Sequence, residues 1–265
     1  MSLLVRGHSD RTEMVTVTPA SAGWKHVGFA AYRMVQGESV AWTFADREAC
    51  VVVLSGSVNV SCGESSWAGI GDRQSVFDDR APYAVYCPPG NRIAVTAVTA
   101  AQLALCTAPG SGRYPARLLE PSTMKRYQRG HGLNARTVCD VLPQTQAAEN
   151  LLVVEVLTPG GHSSSYPPHK HDRDDLPAES ALEETYYHRL NPPQGFAYQR
   201  VYTDDRSIDE TMTVEDNDVV LVPRGYHPVT VPYGYDSYYL NVMAGPKRIW
   251  QIKNDPAHAW MLEKT

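Results

Sequence analysis

The sequence predicts an all-β protein built from two β-barrels. Short apolar and alternating runs extend along all 265 residues, and no segment of a dozen residues keeps a 3.6-residue period. The 19 glycines and 19 prolines supply turn signals between these runs. Many short strands separated by turns are typical of β-sandwiches and β-barrels, whereas a helical domain would show sustained 3.6-residue periodicity.

In the first half, residues 50–62 read CVVVLSGSVNVSC, an apolar run, a Ser-Gly turn and an alternating run. This pattern predicts a β-hairpin. Residues 93–106 are again β-branched and apolar and predict further strand structure. The segment 109–122 holds three prolines and two glycines, so we expect a loop there and a domain boundary. The predicted domains are residues 1–122 and 123–265.

The second half repeats this organisation. Strand-like runs occur at 151–157, 196–203, 212–222 and 238–244. Each half contains a strongly apolar run followed by a turn and a second apolar run. The sequence therefore predicts two barrels of the same kind.

Composition excludes several classes of protein. The net charge is −5, from 24 basic and 29 acidic residues, and no basic block stands out, so we expect no nucleic-acid partner. No stretch approaches the ~20 apolar residues that span a bilayer, so we expect no membrane partner. The N-terminal segment turns polar after Val5, too early for a signal peptide, and the five cysteines lack CxxC spacing. A cytoplasmic protein with reduced thiols is expected.

A group of histidines in the second half predicts a metal site. His169 and His171 lie two residues apart, so on a strand both imidazoles point to one face. Glu184 lies on the next strand-like run, and His227 follows the turn at 223–225. Three imidazoles and one carboxylate, with positions open for substrate, suit Zn²⁺, Mn²⁺ or Fe²⁺.

These motifs resemble the metal site of the cupin superfamily, whose domains are jelly-roll-like β-barrels. The shared features are HxH, a following Glu, and PxG shortly before a third His. Twelve residues separate His171 from Glu184, more than in the usual cupin pattern, so the choice between Glu183 and Glu184 stays open. Asn217 also stands where the pattern has Gly.

Five longer phrases carry a closer resemblance. They are SYPPHKHD, LEETYYHR, PPQGFAYQRVYTDDRSIDE, VPRGYHPV and YYLNVMAGPKR. Together they resemble the 5-deoxy-glucuronate isomerase family of myo-inositol catabolism, two-cupin proteins related to the 5-keto-4-deoxyuronate isomerases of pectin breakdown. The first half lacks HxH, so the resemblance implies a metal-free first barrel in a bicupin.

The resemblance implies an aldose–ketose isomerase that converts 5-deoxy-D-glucuronate to 5-dehydro-2-deoxy-D-gluconate. No nicotinamide or flavin is expected, because hydrogen only moves within the substrate. One divalent metal would stabilise the enediolate, with Zn²⁺ as first choice and Mn²⁺ or Fe²⁺ as alternatives. By the family pattern, the metal ligands are His169, His171, Glu184 and His227.

The general acid and base are not fixed by the motif. The catalytic candidates are Glu183, Tyr186, His188 and Tyr202, with a metal-bound hydroxide as an alternative.

The substrate carboxylate needs a cation. We expect Arg200 or Arg224, with Gln199 beside them, rather than Lys170, which alternates away from the HxH face and is expected to face solvent.

Two other functions remain open at this level. The same ligand set would serve an Fe-dependent cupin dioxygenase. A non-catalytic sugar-binding bicupin would bind a ligand without turnover. The expected partner is a small-molecule uronate, and a homo-oligomer remains an open alternative to a monomer.

Overall fold

The computed structural model describes residues 2–263, and these form an almost entirely β structure. The first half contains β1 (Leu4–Val5), β2 (Glu13–Val17), β3 (Gly28–Met34), β4 (Ser39–Thr43), β5 (Arg47–Ser55), β6 (Val58–Cys62), β7 (Ser65–Ile70), β8 (Ala84–Cys87), β9 (Arg92–Ala97), β10 (Ala101–Pro109) and β11 (Arg117–Leu119). The one α-helix in the described chain, α1 (Pro19–Ala22), is four residues long.

The second half continues the same architecture. Its strands are β12 (Lys125–Arg129), β13 (Arg136–Leu142), β14 (Leu152–Thr158), β15 (Ser163–Ser164), β16 (His169–Lys170), β17 (Asp172–Asp175), β18 (Glu179–Ala181), β19 (Glu183–Asn191), β20 (Ala197–Tyr202), β21 (Asp209–Val214), β22 (Val219–Val222), β23 (Val229–Thr230), β24 (Asp236–Ala244) and β25 (Lys253–Asn254). Three short 3-10 helices lie at Pro121–Thr123, Gly132–Asn134 and Pro256–Glu263.

Each half forms two facing antiparallel sheets. The first half has a six-stranded sheet, β11-β8-β5-β10-β3-β2, and a four-stranded sheet, β4-β9-β6-β7. The second half has a seven-stranded sheet, β1-β22-β19-β24-β14-β13-β12, and a four-stranded sheet, β15-β23-β20-β21. Two small pairs, β16-β25 and β17-β18, complete it.

The first strand crosses between the two halves. Leu4 pairs with Val220, so β1 extends the seven-stranded sheet of the second half. Otherwise the chain passes from the first set of sheets to the second between β11 and β12. The predicted domain division after residue 122 falls in this interval and stays a prediction.

The predicted hairpin at 50–62 is wrong, although both of its strands exist. β5 pairs with β8 and β10, whereas β6 pairs with β7 and β9 in the opposite sheet. The Gly56 turn therefore passes between sheets, and a Cβ on Gly56 would lie 2.2 Å from the Ala100 carbonyl oxygen. The burial patterns agree, because β5 is buried on both faces while Asn59 of β6 is exposed.

Three other predicted segments are subdivided. Residues 93–106 contribute to two strands, β9 and β10, and residues 212–222 contribute to β21 and β22. The predicted loop at 109–122 contains β11, which pairs with β8. In the first two cases a polar or small-residue turn interrupts a run that the apolar pattern alone could not divide.

The six- and seven-stranded sheets pack against each other through a common apolar core. Phe29 of the first half and Tyr187 of the second lie with ring centroids 5.2 Å apart. A separate apolar cluster fills the interior of the first barrel. All five cysteines are buried and free. Within residues 2–263, no helix has the length and apolar character to cross a membrane.

Candidate metal centre and cavity

Three of the four predicted metal ligands meet inside the second barrel, and His169 lies beside them. Glu184 points inward from β19, His169 lies on β16, His171 follows it, and His227 precedes β23. All four side chains are buried, with 0–6% of their surface exposed. Because side chains alternate along β19, Glu184 lies on the inner face of the seven-stranded sheet. This face is directed towards the histidines.

Glu184 lies between two of the histidines. Its Oε2 is 3.0 Å from Nε2 of His171 and 3.2 Å from Nε2 of His227. These three residues offer ligand atoms within 4.8 Å of one another. The ring of His169 lies beside them, 4.9 Å from the His227 ring and 6.4 Å from the His171 ring, measured between centroids.

Backbone carbonyls orient both imidazoles of this cluster. Nδ1 of His171 lies 3.2 Å from the Leu182 oxygen, and Nδ1 of His227 lies 2.8 Å from the Gly225 oxygen. Because a carbonyl only accepts, each Nδ1 carries a proton, and Nε2 is the ring atom that faces Glu184. Such bonds from the second ring nitrogen are typical of metal-binding histidines.

The cluster fits a divalent cation. Nε2 of His227 is buried without a hydrogen-bond partner in the described chain, and it faces a carboxylate oxygen. Burial lowers the pKa of His227 to about 4, so this ring is neutral at pH 7. For His171 burial also disfavours charge, but the hydrogen bond and charge of Glu184 prevail and raise its pKa. The site thus favours positive charge between these donors.

A cavity adjoins the cluster and includes His169 and Glu184 in its wall. Its other polar lining residues are Arg129, Arg136, Ser165, Tyr186, Tyr239 and Asn241. Strand alternation on β13, β14, β19 and β24 directs Arg136, Tyr186, Tyr239, Asn241 and several valines to the same interior.

Two tyrosines of the cavity remain protonated. Burial, together with the nearby Glu184 charge, raises the pKa of Tyr186 well above 10. Burial also raises the pKa of Tyr239. The Tyr186 hydroxyl lies 2.9 Å from Oγ of Ser165, and the Tyr239 hydroxyl bonds Ser164. Both phenols can therefore act as hydrogen-bond or proton donors within the cavity.

His188 and Gln199 lie behind the cavity rather than in it. Nε2 of His188 is 2.8 Å from Oε1 of Gln199, and burial lowers the pKa of His188 to about 4. The His188 ring stacks on Tyr186 at 6.0 Å. Nε2 of Gln199 lies 3.5 Å from the His227 carbonyl. These two residues contact Tyr186 and His227 but are not among the residues that line the cavity.

Two further catalytic candidates lie away from the cluster. Glu183 faces the opposite side of β19, where its carboxylate accepts from the amides of Lys25, His26 and Val27 at 2.7–3.1 Å. Tyr202 shares the outward parity of Arg200 on β20, and its hydroxyl donates to Asp255 at 2.7 Å. The structure does not bring Glu183 or Tyr202 to the cavity.

The cations expected to bind the substrate carboxylate are also elsewhere. Arg200 donates two hydrogen bonds of 2.8 Å to Asp209 at the surface, and Arg224 is exposed and donates to Ser207.

The expectation that Lys170 faces solvent is wrong. Its side chain is 2% exposed, because its ammonium is surrounded by the carboxylates of Asp172, Asp204 and Glu179 at 3.0, 2.8 and 3.8 Å.

Two other cations, Arg129 and Arg136, line the cavity, and the sequence motifs did not predict them. They are direct register partners at the ends of β12 and β13. A signal was present in the phrase RGHGLNAR, where two arginines flank a Gly-rich turn. A hairpin at that turn would have paired them.

Comparisons with known proteins agree with this architecture. The KduI/IolB family matches residues 3–261. The 5-deoxy-glucuronate isomerase of Geobacillus thermodenitrificans is 53% identical over 98% of this chain and 96% of that protein. The enzyme of the same name from Geobacillus kaustophilus is 54% identical over 98% and 95%.

Solved structures confirm the fold. The crystal structure of an IolB-like protein from Salmonella typhimurium LT2 has a TM-score of 0.97 at 47% identity, covering 99% of this chain and 100% of that one. An oxalate decarboxylase from Lactobacillus farciminis, which has the cupin fold, gives 0.66 at 12% identity and covers 100% and 91%. The predicted all-β bicupin of two jelly-roll-like barrels is confirmed, and the chain belongs to the KduI/IolB family, with close relatives that are isomerases.

Proposed function

We propose that the protein is a metal-dependent aldose–ketose isomerase that converts 5-deoxy-D-glucuronate to 5-dehydro-2-deoxy-D-gluconate in the cytoplasm, as a step of myo-inositol catabolism. The observation that carries this proposal is the buried cluster of His171, Glu184 and His227, which adjoins a cavity lined by two protonated tyrosines. The names of the relatives support the substrate, and the resemblance of the five sequence phrases supports the pathway.

His171, Glu184 and His227, with His169 alongside, would hold one divalent metal. Zn²⁺ is the proposed ion, and Mn²⁺ and Fe²⁺ suit the same donors. The metal would supply Lewis-acid stabilisation of the negative charge that develops on the substrate oxygens during enolisation.

The reaction moves a hydrogen from C2 to C1 of the sugar acid and requires proton exchange with two oxygens. Among the four catalytic residues that the sequence predicted, Tyr186 is the one that lines the cavity. Its buried phenol keeps its proton at neutral pH and lies beside Glu184, so it can donate to a substrate oxygen as charge develops. Tyr239 and Ser165 complete this donor network.

A proton NMR time course tests the proposal. Purified protein of known metal content is incubated with 5-deoxy-D-glucuronate in D₂O. The aldose signals should disappear as a ketose forms, and deuterium in the new CH₂OH group would report an enediol intermediate. Tyr186→Phe should slow the conversion without lowering the metal content.

The same samples distinguish the alternatives. Oxygen consumption in place of ketose formation would contradict the isomerase proposal and indicate a dioxygenase. Binding without any conversion, at one metal per chain, would indicate a non-catalytic sugar-binding protein.

A further inference from the structure

Arg136 is a buried guanidinium without an anionic partner. It is 6% exposed, and within the described chain only its Nη1 bonds to protein, at 2.8 and 2.7 Å from the carbonyl and side-chain oxygens of Asn134. Among the side chains of residues 2–262, no carboxylate lies within ion-pair distance of Arg136 or Arg129. A buried charge is costly unless it is paired and hydrogen-bonded.

Three other arginines with little exposure have partners for their charge in the protein. Arg73 pairs with Glu155 at 3.1 Å, and Arg189 pairs with Asp216 at 2.8 Å. Arg248 lacks a carboxylate but donates five hydrogen bonds to backbone carbonyls. Arg136 has neither a carboxylate partner nor such a set of backbone acceptors, and it lines a cavity.

The neighbour of Arg136 makes this arrangement more costly. Arg129 is its direct cross-strand partner, lines the same cavity, and donates no side-chain hydrogen bond to the described protein. Like charges directly opposite in a sheet repel each other. Burial lowers the pKa of Arg136; the nearby Tyr239 opposes this effect, and the charge of Arg129 adds to it. An anion between the two guanidinium groups would relieve both costs.

The connecting turn is shaped around this pair. Gly130 has a φ of +76°, and a Cβ there would lie 2.7 Å from Nη1 of Arg136 and 2.3 Å from the Asn134 carbonyl oxygen. The turn therefore needs glycine both for its backbone conformation and to leave room for the guanidinium.

We propose that Arg129 and Arg136 form a carboxylate-binding subsite that selects sugar acids over neutral sugars. The inference rests on the proposed function, because the subsite would hold the carboxylate of the proposed substrate at the arginines and leave its aldehyde end at Glu184. These groups occupy opposite ends of a six-carbon sugar acid, and Arg136 and Glu184 line the same cavity. Planar guanidinium groups match a carboxylate through paired hydrogen bonds.

Isothermal titration of the metal-loaded protein tests the subsite without turnover. The probes are D-gluconate, which carries the carboxylate, and D-glucitol, which replaces it with CH₂OH. Gluconate should bind more tightly than glucitol. Arg136→Gln and Arg129→Gln should each weaken gluconate binding about tenfold or more and leave metal content unchanged. Arg126→Gln, on the same strand but paired with Asp79, is the matched control and should retain wild-type affinity.

The outcomes separate this inference from the proposed function. Unchanged gluconate affinity in both variants, or no preference of the wild-type protein for gluconate over glucitol, would overturn the subsite. If D-glucitol 6-phosphate binds more tightly than gluconate, the two arginines form a phosphate-binding subsite and not a carboxylate-binding one. Arginine-dependent gluconate binding without isomerisation of 5-deoxy-D-glucuronate would refute the proposed reaction alone. Normal isomerisation with an unchanged KM in both variants would refute the subsite alone.

Discussion

Glu183 and Glu184 are consecutive in the chain, yet their carboxylates lie on opposite sides of β19. Glu184 lies inside the second barrel, 3.0 Å from His171. Glu183 accepts hydrogen bonds from the backbone amides of three residues in the first half. Strand alternation thus gives one carboxylate to the metal cluster and the other to the contact between the two halves.

Substitution of these two residues should therefore have different effects. Glu184→Gln should lower metal content and isomerase activity together, because it removes the only carboxylate of the cluster in the described chain. Glu183→Gln should leave metal content unchanged and reduce the free energy of unfolding by about 1–3 kcal/mol, because it weakens charge-assisted hydrogen bonds. Metal analysis and denaturant unfolding measure the two effects. Loss of metal in Glu183→Gln but not in Glu184→Gln would show that Glu183, and not Glu184, is the metal ligand.

The two oriented histidines should be needed for metal and activity alike. His171→Ala or His227→Ala should abolish tight metal binding and lower activity in parallel, since each removes a donor held by a backbone carbonyl. His8→Ala, at an exposed position, is the control and should bind metal normally. A His227→Ala protein that lost its metal and kept full activity would refute metal-centred catalysis.

Local patterns could predict the cluster but not the whole cavity. The two-residue spacing of His169 and His171 and the inward parity of Glu184 follow directly from strand geometry. The position of His227 after the turn at 223–225 added the third imidazole. The same parity rule placed Lys170 in solvent, which is wrong because Asp204, 34 residues away, closes over its ammonium.

Long-range pairing accounts for the other differences. A local sequence pattern does not show which sheet a strand joins. The run at 50–62 therefore predicted a hairpin, although its two strands belong to different sheets. Arg129 and Arg136 could be related to the site only after β13, β14, β24 and β19 were known to be neighbours in one sheet. Alternation shows which face a side chain occupies, but not what lies opposite it.

The contact between the two halves contains a buried ion pair whose disruption should be costly. Arg73 is 1% exposed and bonds both carboxylate oxygens of Glu155 at 3.1 Å, and Tyr238 donates to the same carboxylate. Arg73→Met should reduce the free energy of unfolding by about 3–5 kcal/mol, because Glu155 would remain buried without its partner.

Two further variants test that explanation by urea unfolding. Arg73→Met combined with Glu155→Leu should be less destabilised than Arg73→Met alone, because no unpaired charge remains. Arg80→Met, which disrupts an exposed pair with Asp72, should cost about 0–1 kcal/mol. A double variant as unstable as the sum of both single variants would show that the two charges are not coupled.

His188 should make the protein less stable as the pH falls from about 6.5 to about 4. Burial lowers its pKa to about 4 in the folded protein, against 6.5 for an exposed imidazole. Between these values the unfolded chain binds a proton that the folded protein does not, so acidification favours unfolding, by up to roughly 3 kcal/mol from this residue. His188→Gln can still donate to Gln199 but cannot titrate. Its free energy of unfolding, measured from pH 8 to pH 4, should therefore fall less than that of the wild-type protein; parallel curves would show that His188 takes up its proton equally in both states.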